Sequence, residues 1–239
     1  MANLARFLRV LTAPFVRYVV VGGEVIPHHT HAVVVANHHS MFDWFGGLVC
    51  IHRFRRYPRL LINAKYLQAR RSSFLLRAAG TIPVGGVEAG ANALVHAEEA
   101  LRGDVPILMM PEGRLHWNPE RPAETGPGHT GAARVASATG SPILVVALAG
   151  TEDVWPPKRY LPRLNPFRRK VVACYAAHDV LYLAGDDHRA DTDLIMKEIG
   201  SLLEDAYEIR AACSGRGGRR RARELNQGVR DRTRRGARG

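Results

Sequence analysis

Residues 32–43 read Ala-Val-Val-Val-Ala-Asn-His-His-Ser-Met-Phe-Asp, an apolar run followed directly by polar side chains. Ala32–Ala36 has the composition of a short buried strand, since β-branched valines favour the extended backbone. Residues 40–43 fit the serine-x-x-acid pattern that caps the first turn of a helix. The stretch therefore predicts a strand that ends near Asn37 and a helix that begins at Ser40, with His38 in the loop between them.

Predicted strands and helices alternate along much of the chain, which is typical of an α/β domain. The predicted strands are Tyr18–Ile26, Ala32–Ala36, Arg59–Asn63, Thr81–Val84, Val105–Met110, Pro142–Ala149 and Lys170–Ala177. The predicted helices are Met41–Phe54, Ser72–Ala79, Asn92–Leu101, Thr130–Thr139 and a last helix that starts near Asp191. A chain of 239 residues with 46% hydrophobic composition can bury one sizeable core. We therefore predict the α/β class, with a single domain built on a central, largely buried mixed sheet that helices flank.

The positive charge of the chain is concentrated at its C-terminal end. The formal net charge is +12, and residues 214–239 contribute ten arginines against Glu224 and Asp231. Almost no apolar residue stands among them, so we predict that residues 213–239 form a disordered Arg-rich tail. Such a tail could bind nucleic acid or anionic lipid, or could serve only as a solubilising extension. The three cysteines have no paired or metal-ligand spacing, which indicates a reduced compartment.

The N-terminal segment, residues 1–17, carries apolar and basic residues at helical spacing. On a helix one face carries Leu4, Phe7, Leu8, Leu11 and Phe15, and the opposite face carries Arg6, Arg9 and Arg17. An arginine at a bilayer centre costs about 2.5–3.5 kcal/mol, so we do not predict a transmembrane span here. The pattern fits a helix at a membrane surface, and it fits equally well a helix packed on the domain core. The domain itself is predicted over residues 18–212.

Two polar clusters stand at the ends of two predicted strands, as in an active site on an α/β sheet. The first holds His38 and Asp43, and a histidine can take a proton from a hydroxyl if a carboxylate orients its imidazole. The second holds Glu112 and Arg114 on either side of Gly113, after another apolar run. A structural interpretation also fits each cluster: Asp43 could merely cap a helix, and Glu112 and Arg114 could form a loop salt bridge.

The first cluster resembles the first signature of the glycerolipid acyltransferase family, which includes the 1-acyl-glycerol-3-phosphate acyltransferases. That signature is Asn-His-x-Ser-x-x-Asp, matched here by Asn37, His38, Ser40 and Asp43. The further matches, in family order, are Gly23–Pro27 before the signature and, after it, Lys65, Gly80–Val84, Pro111–Arg114 and Gly131–Ala136. The resemblance covers roughly residues 18 to 150, and the ordered set is more specific than any one of its motifs.

The resemblance implies an O-acyl transfer, with His38 as the general base that deprotonates an acceptor hydroxyl and Asp43 as the group that orients it. The other matched residues would bind substrate: Asn37, Ser40, Lys65, Glu112, Gly113 and Arg114. The acyl group would come directly from the thioester of acyl-CoA or acyl carrier protein as co-substrate, so no cofactor and no metal is expected. The expected partners are this donor, a lysophospholipid-type acceptor and a membrane surface, and the expected location is peripheral to the cytoplasmic face of the membrane.

Three positions depart from the family pattern. Gly86 stands where the second signature usually has an arginine for the acceptor phosphate. Arg114 follows Gly113 without the usual threonine, and Val145 replaces a proline of the fourth signature. These departures leave the identity of the acceptor open. The missing arginine and proline also motivate one alternative, a non-catalytic lipid-binding member of the same fold. The Arg-rich tail motivates another, nucleic-acid binding, which we expect only through that tail.

Overall fold

The computed structural model describes residues 2–23, 31–52, 57–63, 81–84 and 89–215, together with positions 220, 224 and 227. The helices are α1 Ala2–Thr12, α2 Asp43–Ile51, α3 Ala89–Arg102, α4 Gly131–Thr139, α5 Thr151–Val154 and α6 His188–Ser214. The strands are β1 Val16–Gly22, β2 Val33–Ala36, β3 Arg59–Asn63, β4 Ile82–Val84, β5 Ile107–Met109, β6 Ile143–Ala149 and β7 Lys170–Ala176.

The strands form one seven-stranded sheet in the order β1-β7-β6-β2-β5-β3-β4. Neighbouring strands run parallel except for β6 and β7, which are antiparallel. The predicted α/β class and the mixed character of the sheet are therefore confirmed. In this order β2 lies between β5 and β6, so the segments that follow these three strands meet at one edge of the sheet.

Alternate side chains of the central strands pack into two separate layers, one on each face of the sheet. Val33 and Val35 of β2 pack with residues of α3, α4 and α6, such as Ile199. Val34, between them, faces the other layer, where Cys50 of α2 lies. All seven residues of β6 are buried, which explains why its sequence reads as a continuous apolar run rather than an alternating one.

The predicted element bounds differ from the observed ones at the starts of both strands and helices. β1 begins at Val16 rather than Tyr18, and β5 begins at Ile107 rather than Val105. α6 begins at His188 rather than near Asp191, because the side chain of Asp187 caps it by accepting hydrogen bonds from two backbone N–H groups. α2 begins at Asp43, two residues after the predicted start. The strand predicted over Arg59–Asn63 is confirmed. The predicted helix at 72–79 and the predicted strand residues 24–26 lie outside the described residues.

The N-terminal helix α1 has both a packed edge and an exposed apolar edge. Ala5 and Leu8 are buried against Leu48 and Val49 of α2. The large apolar side chains of α1 that remain exposed are Phe7, Val10 and Leu11. The helix ends at Thr12, ahead of Pro14, so the proline does not kink it. The two interpretations of the N-terminal segment therefore apply to different edges of one helix, and its contact with a membrane stays a prediction.

The last helix continues slightly past the predicted domain boundary at 212. Cys213 is fully buried, and α6 ends at Ser214. The three described positions beyond residue 215 have helical backbone, and the rest of the predicted tail lies outside the described residues. Within the part of the chain that the structure describes, no helix is long and apolar enough to cross a bilayer.

Candidate active site

The two predicted polar clusters lie side by side at the carboxyl edge of the sheet. They meet because β2 and β5 are adjacent and parallel, with Val35 in register with Met109. The backbone N–H of His116 donates to the carbonyl of His38 at 2.8 Å, which ties the loop after β5 to the loop after β2. The backbone N–H of His38 in turn donates to Glu112 Oε1 at 3.4 Å. The clusters thus form one site.

His38 and Asp43 make direct side-chain contact. Nδ1 of His38 lies 3.1 Å from Asp43 Oδ2. The carboxylate is completely buried, whereas the histidine side chain retains 23% exposure. The second ring nitrogen of His38, Nε2, has no hydrogen-bond partner among the described residues. The pair therefore has the geometry of an imidazole oriented from behind by a carboxylate, with its far nitrogen left for a ligand.

Two further groups hold the Asp43 carboxylate. The backbone N–H of Ser40 donates to Oδ2 at 2.7 Å, which is the reciprocal bond of the predicted helix cap. The hydroxyl of Thr151 donates to Oδ1. Both oxygens of the buried carboxylate are thus satisfied, as the burial of an ionised group requires. Asp43 thus closes the turn that leads into α2 and orients His38 at the same time.

Thr151 is the site residue that the sequence analysis missed. It begins α5, immediately after the end of β6, so it follows the same strand-end rule that singled out the other two clusters. Gly150 makes the sharp turn possible: its φ is +91°, and a Cβ there would lie 2.2 Å from the carbonyl oxygen of Val171. The signal that could have found Thr151 was therefore a glycine and a hydroxyl residue directly after an apolar run.

Asn37 and Ser40 are both buried and both bond to backbone groups of the β6–α5 region. Asn37 donates to the Leu148 carbonyl at 3.0 Å and accepts from the Leu148 N–H at 2.8 Å. Its amide thus extends the pairing of β2 with β6 by one side chain. The Ser40 hydroxyl lies 3.0 Å from the Thr151 carbonyl and 2.7 Å from that of Trp155. These two residues fix the loop that carries His38, and their contact with a substrate stays a prediction.

Glu112 is a buried carboxyl group with few partners. Burial raises its pKa to about 8, although hydrogen bonds from the backbone N–H groups of His38 and Gly126 oppose the shift and nearby Asp43 adds to it. Its Oε2 atom is buried without a hydrogen-bond partner among the described residues. At pH 7 the group is therefore largely protonated, so it can donate a hydrogen bond as well as accept one.

Gly113 and Arg114 form the outer rim of the site. Gly113 has a φ of +64°, and a Cβ there would come within 2.9 Å of the His129 ring, so the turn requires glycine. Arg114 is exposed and forms no ion pair with Glu112. The alternative of a salt bridge between these two residues is therefore wrong. Lys65 and Gly86, which the sequence analysis linked to the same site, lie outside the described residues.

Behind the His38–Asp43 pair, a buried polar network connects the site to α6. The hydroxyl of Tyr207 donates to Glu152 Oε1 at 3.0 Å and lies 3.5 Å from Nδ1 of His39. Arg210 Nη1 lies 3.6 Å from the same Glu152 oxygen. Burial lowers the pKa of His39 to about 4, so this histidine is neutral at pH 7. His39 thus faces the interior, and only its neighbour His38 opens toward solvent.

The comparisons with known proteins agree with this geometry. A family model described as Acyltransferase matches residues 17–149, a range that holds both strand-end clusters and ends just before Thr151. In fold the chain is similar to the crystal structure of the 1-acyl-sn-glycerophosphate (LPA) acyltransferase PlsC from Thermotoga maritima. The TM-score is 0.66 at 21% sequence identity, over 85% of this chain and 78% of that chain. No curated protein is significantly similar to the chain in sequence.

Proposed function

The chain belongs to the acyltransferase family, and from this premise we propose that it transfers an acyl group from a thioester donor to a hydroxyl of a lysophospholipid-type acceptor. The observation that carries the proposal is the contact between His38 Nδ1 and the buried carboxylate of Asp43 at 3.1 Å. A base of this kind serves a reaction in which a hydroxyl must lose its proton as it attacks.

In the first step the acceptor hydroxyl approaches Nε2 of His38. When Nδ1–H donates to Asp43, Nε2 carries no proton and can accept one. As the hydroxyl proton moves to Nε2, the oxygen attacks the carbonyl carbon of the thioester and a tetrahedral intermediate forms. The Asp43 carboxylate stabilises the imidazolium that results, and Thr151 and the Ser40 N–H keep that carboxylate in place.

In the second step the intermediate collapses and the carbon–sulfur bond breaks. The imidazolium returns its proton from Nε2 to the leaving sulfur, which departs as the thiol of CoA or of acyl carrier protein. An O–H and a C–S bond are broken, and a C–O and an S–H bond are formed. His38 regains its neutral form, so the cycle needs no covalent acyl-enzyme, no metal and no further cofactor.

On the acceptor side, we assign Glu112, Gly113 and Arg114 to the binding of the acceptor. Glu112 is protonated at pH 7 and can donate to an acceptor oxygen, while the exposed guanidinium of Arg114 can pair with a phosphate. The place of the usual phosphate arginine is taken by Gly86. We therefore propose that phosphate recognition depends more on Arg114 in this chain than on the matching residue in family members that keep the usual phosphate arginine.

We further propose that the protein works at the cytoplasmic face of a membrane, to which it attaches peripherally. The exposed apolar edge of α1, formed by Phe7, Val10 and Leu11, supports this location because it leaves apolar side chains in water on a helix that also carries arginines. A lysophospholipid acceptor resides in or near the bilayer, so attachment would bring the site to its substrate.

The proposal is tested with the full-length purified protein, acyl-CoA or acyl carrier protein thioesters, and a panel of lysophospholipids that differ in headgroup. Mass spectrometry of the lipids identifies both the acceptor and the acyl chain that is transferred. We expect turnover with at least one donor and acceptor pair, and a loss of about 10²–10⁴-fold in kcat on His38→Ala.

The matched control is His96→Ala, which removes a histidine that also contacts a carboxylate, Glu99, but lies on the exposed surface of α3. It should leave kcat unchanged. Absence of product for every pair would favour the non-catalytic lipid-binding alternative, and equal activity of the His38→Ala enzyme would exclude His38 as the base.

A further inference from the structure

A basic and apolar loop of residues 156–169 joins α5 to β7, and we call it the basic–aromatic loop. Its large exposed apolar side chains are Tyr160, Leu161, Leu164 and Phe167. Phe167 is 95% exposed, an unusual state for a phenylalanine in a folded protein. Four such side chains within eight consecutive residues form a patch, and exposed apolar patches mark sites of interaction.

The same loop carries a strong positive charge. Lys158, Arg159, Arg163, Arg168 and Arg169 are exposed, and residues 155–170 contain no Asp or Glu. None of these five cations forms an ion pair with another described residue. An apolar patch interleaved with unpaired cations is complementary to a surface that is both apolar and anionic.

Hydrogen bonds within the loop, and to the two residues directly before it, fix its backbone. The N–H of Arg163 donates to the carbonyl of Val154 at 2.6 Å, and the Trp155 indole donates to the carbonyl of Arg159 at 3.0 Å. Asn165 accepts from the backbone N–H of Phe167 at 2.9 Å. Because these bonds fix the loop in the structure described, it can present its apolar side chains to a partner without first having to fold.

The loop also adjoins both the active site and the N-terminal helix. The carbonyl of Trp155, directly before the loop, accepts from Ser40 in the segment that carries His38. At the other end, the Arg169 guanidinium donates to the carbonyl of Val16, four residues after α1. The loop is therefore tied at one end to the segment that carries His38 and at the other to the start of β1, which follows α1.

We propose that the basic–aromatic loop is a docking surface for an anionic lipid bilayer, in which Leu164 and Phe167 enter the apolar layer and the surrounding arginines pair with lipid phosphates. The proposal deepens the proposed function and rests on it for its purpose, since it supplies a route from bilayer to site. Bilayer binding is measured without any turnover, so the docking proposal and the proposed function can fail separately.

A bilayer explains the composition of the loop better than a nucleic acid does. Single-stranded nucleic acids are bound by basic grooves with aromatic stacking platforms. Here the patch also contains two leucines, and Phe167 is exposed all round rather than set in a groove. Leucine side chains gain from burial in an acyl-chain layer and not from base stacking.

A fluorescent probe on the loop tests the insertion directly. The three native cysteines are all buried, so Phe167→Cys gives one accessible thiol that an environment-sensitive dye labels. With vesicles of phosphatidylcholine and phosphatidylglycerol, we expect a blue shift and shielding from aqueous iodide. The control is Tyr182→Cys. Tyr182 follows Leu181, which pairs with Ile143 at the start of β6, whereas the loop lies beyond α5, after the end of β6. Its probe should stay in water.

A charge-matched pair of variants tests the role of the arginines. One triple variant neutralises three arginines of the loop: Arg159→Gln/Arg163→Gln/Arg168→Gln. It should weaken partition into the anionic vesicles on the order of 100-fold at low salt. Arg102→Gln/Arg121→Gln/Lys197→Gln removes the same charge elsewhere and should weaken it much less. If the probe at 167 stays in water while the protein is bound, the tail or α1 accounts for attachment and the proposal is overturned. A response to a single-stranded oligonucleotide but not to vesicles would overturn it as well.

Discussion

The two halves of the active site differ in how firmly the protein holds their polar groups. The Asp43 carboxylate is satisfied on both oxygens, by His38 and Ser40 on one and by Thr151 on the other. Glu112, equally buried, is held only by backbone N–H groups: that of His38 lies 3.4 Å from Oε1, and Oε2 is buried without a hydrogen-bond partner among the described residues. Arg114, beside it, is exposed.

This contrast indicates that the two halves of the site have different roles. A general base works best when its orientation is fixed before the substrate arrives, and hydrogen bonds fix the orientation of His38, the base that we propose. Groups that are left partly unsatisfied gain most from a ligand that satisfies them. We therefore expect the half that holds His38 to be preorganised for the proposed reaction, and the half that we assign to the acceptor to be completed by the acceptor.

The strongest test of this contrast is Asp43→Asn. The amide cannot stabilise the imidazolium as a carboxylate does, so we expect kcat to fall by about 10²–10⁴-fold. Steady-state kinetics on the identified substrate pair provides the measurement. Asp191→Asn is the control, since Asp191 is also buried and accepts a backbone bond at 3.2 Å but lies away from the site. A loss of the same size in this control would mean that the effect is general destabilisation.

Thr151→Val should have a smaller effect of the same kind. It removes the donor to Asp43 Oδ1 while keeping the shape of the side chain, and we expect kcat to fall by roughly tenfold, with KM unchanged. Thr151→Ser should restore most of the activity because it restores the hydroxyl. Thr192→Val serves as the control: its hydroxyl donates within α6 at 2.6 Å, and it is buried to the same degree. Full activity of Thr151→Val would show that the Thr151 hydroxyl is not needed to position Asp43.

Arg114→Gln tests the acceptor half. A charge-assisted bond to phosphate contributes about 1.5–3 kcal/mol, and the lower end applies because Arg114 is exposed. We therefore expect KM for a phosphate-bearing acceptor to rise roughly tenfold, with kcat changed little. Arg121→Gln changes an exposed arginine of the same loop and should leave KM alone. Kinetics with a lysophospholipid and with a monoacylglycerol, which lacks the phosphate, separates the cases. An equal loss on both acceptors would contradict phosphate recognition by Arg114.

The smallest expected effect is on the pH dependence of stability. Glu112 binds its proton more tightly in the folded state, since its pKa rises from 4.5 to about 8. Its contribution to the free energy of unfolding therefore falls as the pH rises through this window. The effect of His39 on stability has the opposite sign. Its pKa is lowered from 6.5 to about 4, so His39 destabilises the folded state only as the pH falls below 6.5.

Between pH 6.5 and 8, Glu112 is therefore the only one of these two groups whose contribution changes. Over this interval the thermal unfolding temperature of Glu112→Gln should rise relative to that of the unmodified protein, by a few degrees at about pH 8. Circular dichroism at the two pH values gives the comparison, with the exposed Glu120→Gln as control. A constant difference across the interval would show that the carboxyl group of Glu112 does not titrate there.

Much of this site was predictable because its signals are local. The apolar run before Asn37 and the serine-x-x-acid pattern placed His38 in a loop and Asp43 in the first turn of α2, as observed. The strand before Glu112 was placed in the same way. Each of these predictions depends only on residues within a few positions of one another, where the periodicity of side chains decides the backbone.

Hydrophobic periodicity and helix capping act over short distances along the chain, so the strand ends and the residue types that stand there could be predicted. What these residues contact depends on how distant segments pack together. Asn37 bonds to Leu148 across 111 residues, and Thr151 reaches Asp43 across 108. Those contacts exist because β6 lies next to β2, and the order of strands follows from packing the whole core rather than from any one segment.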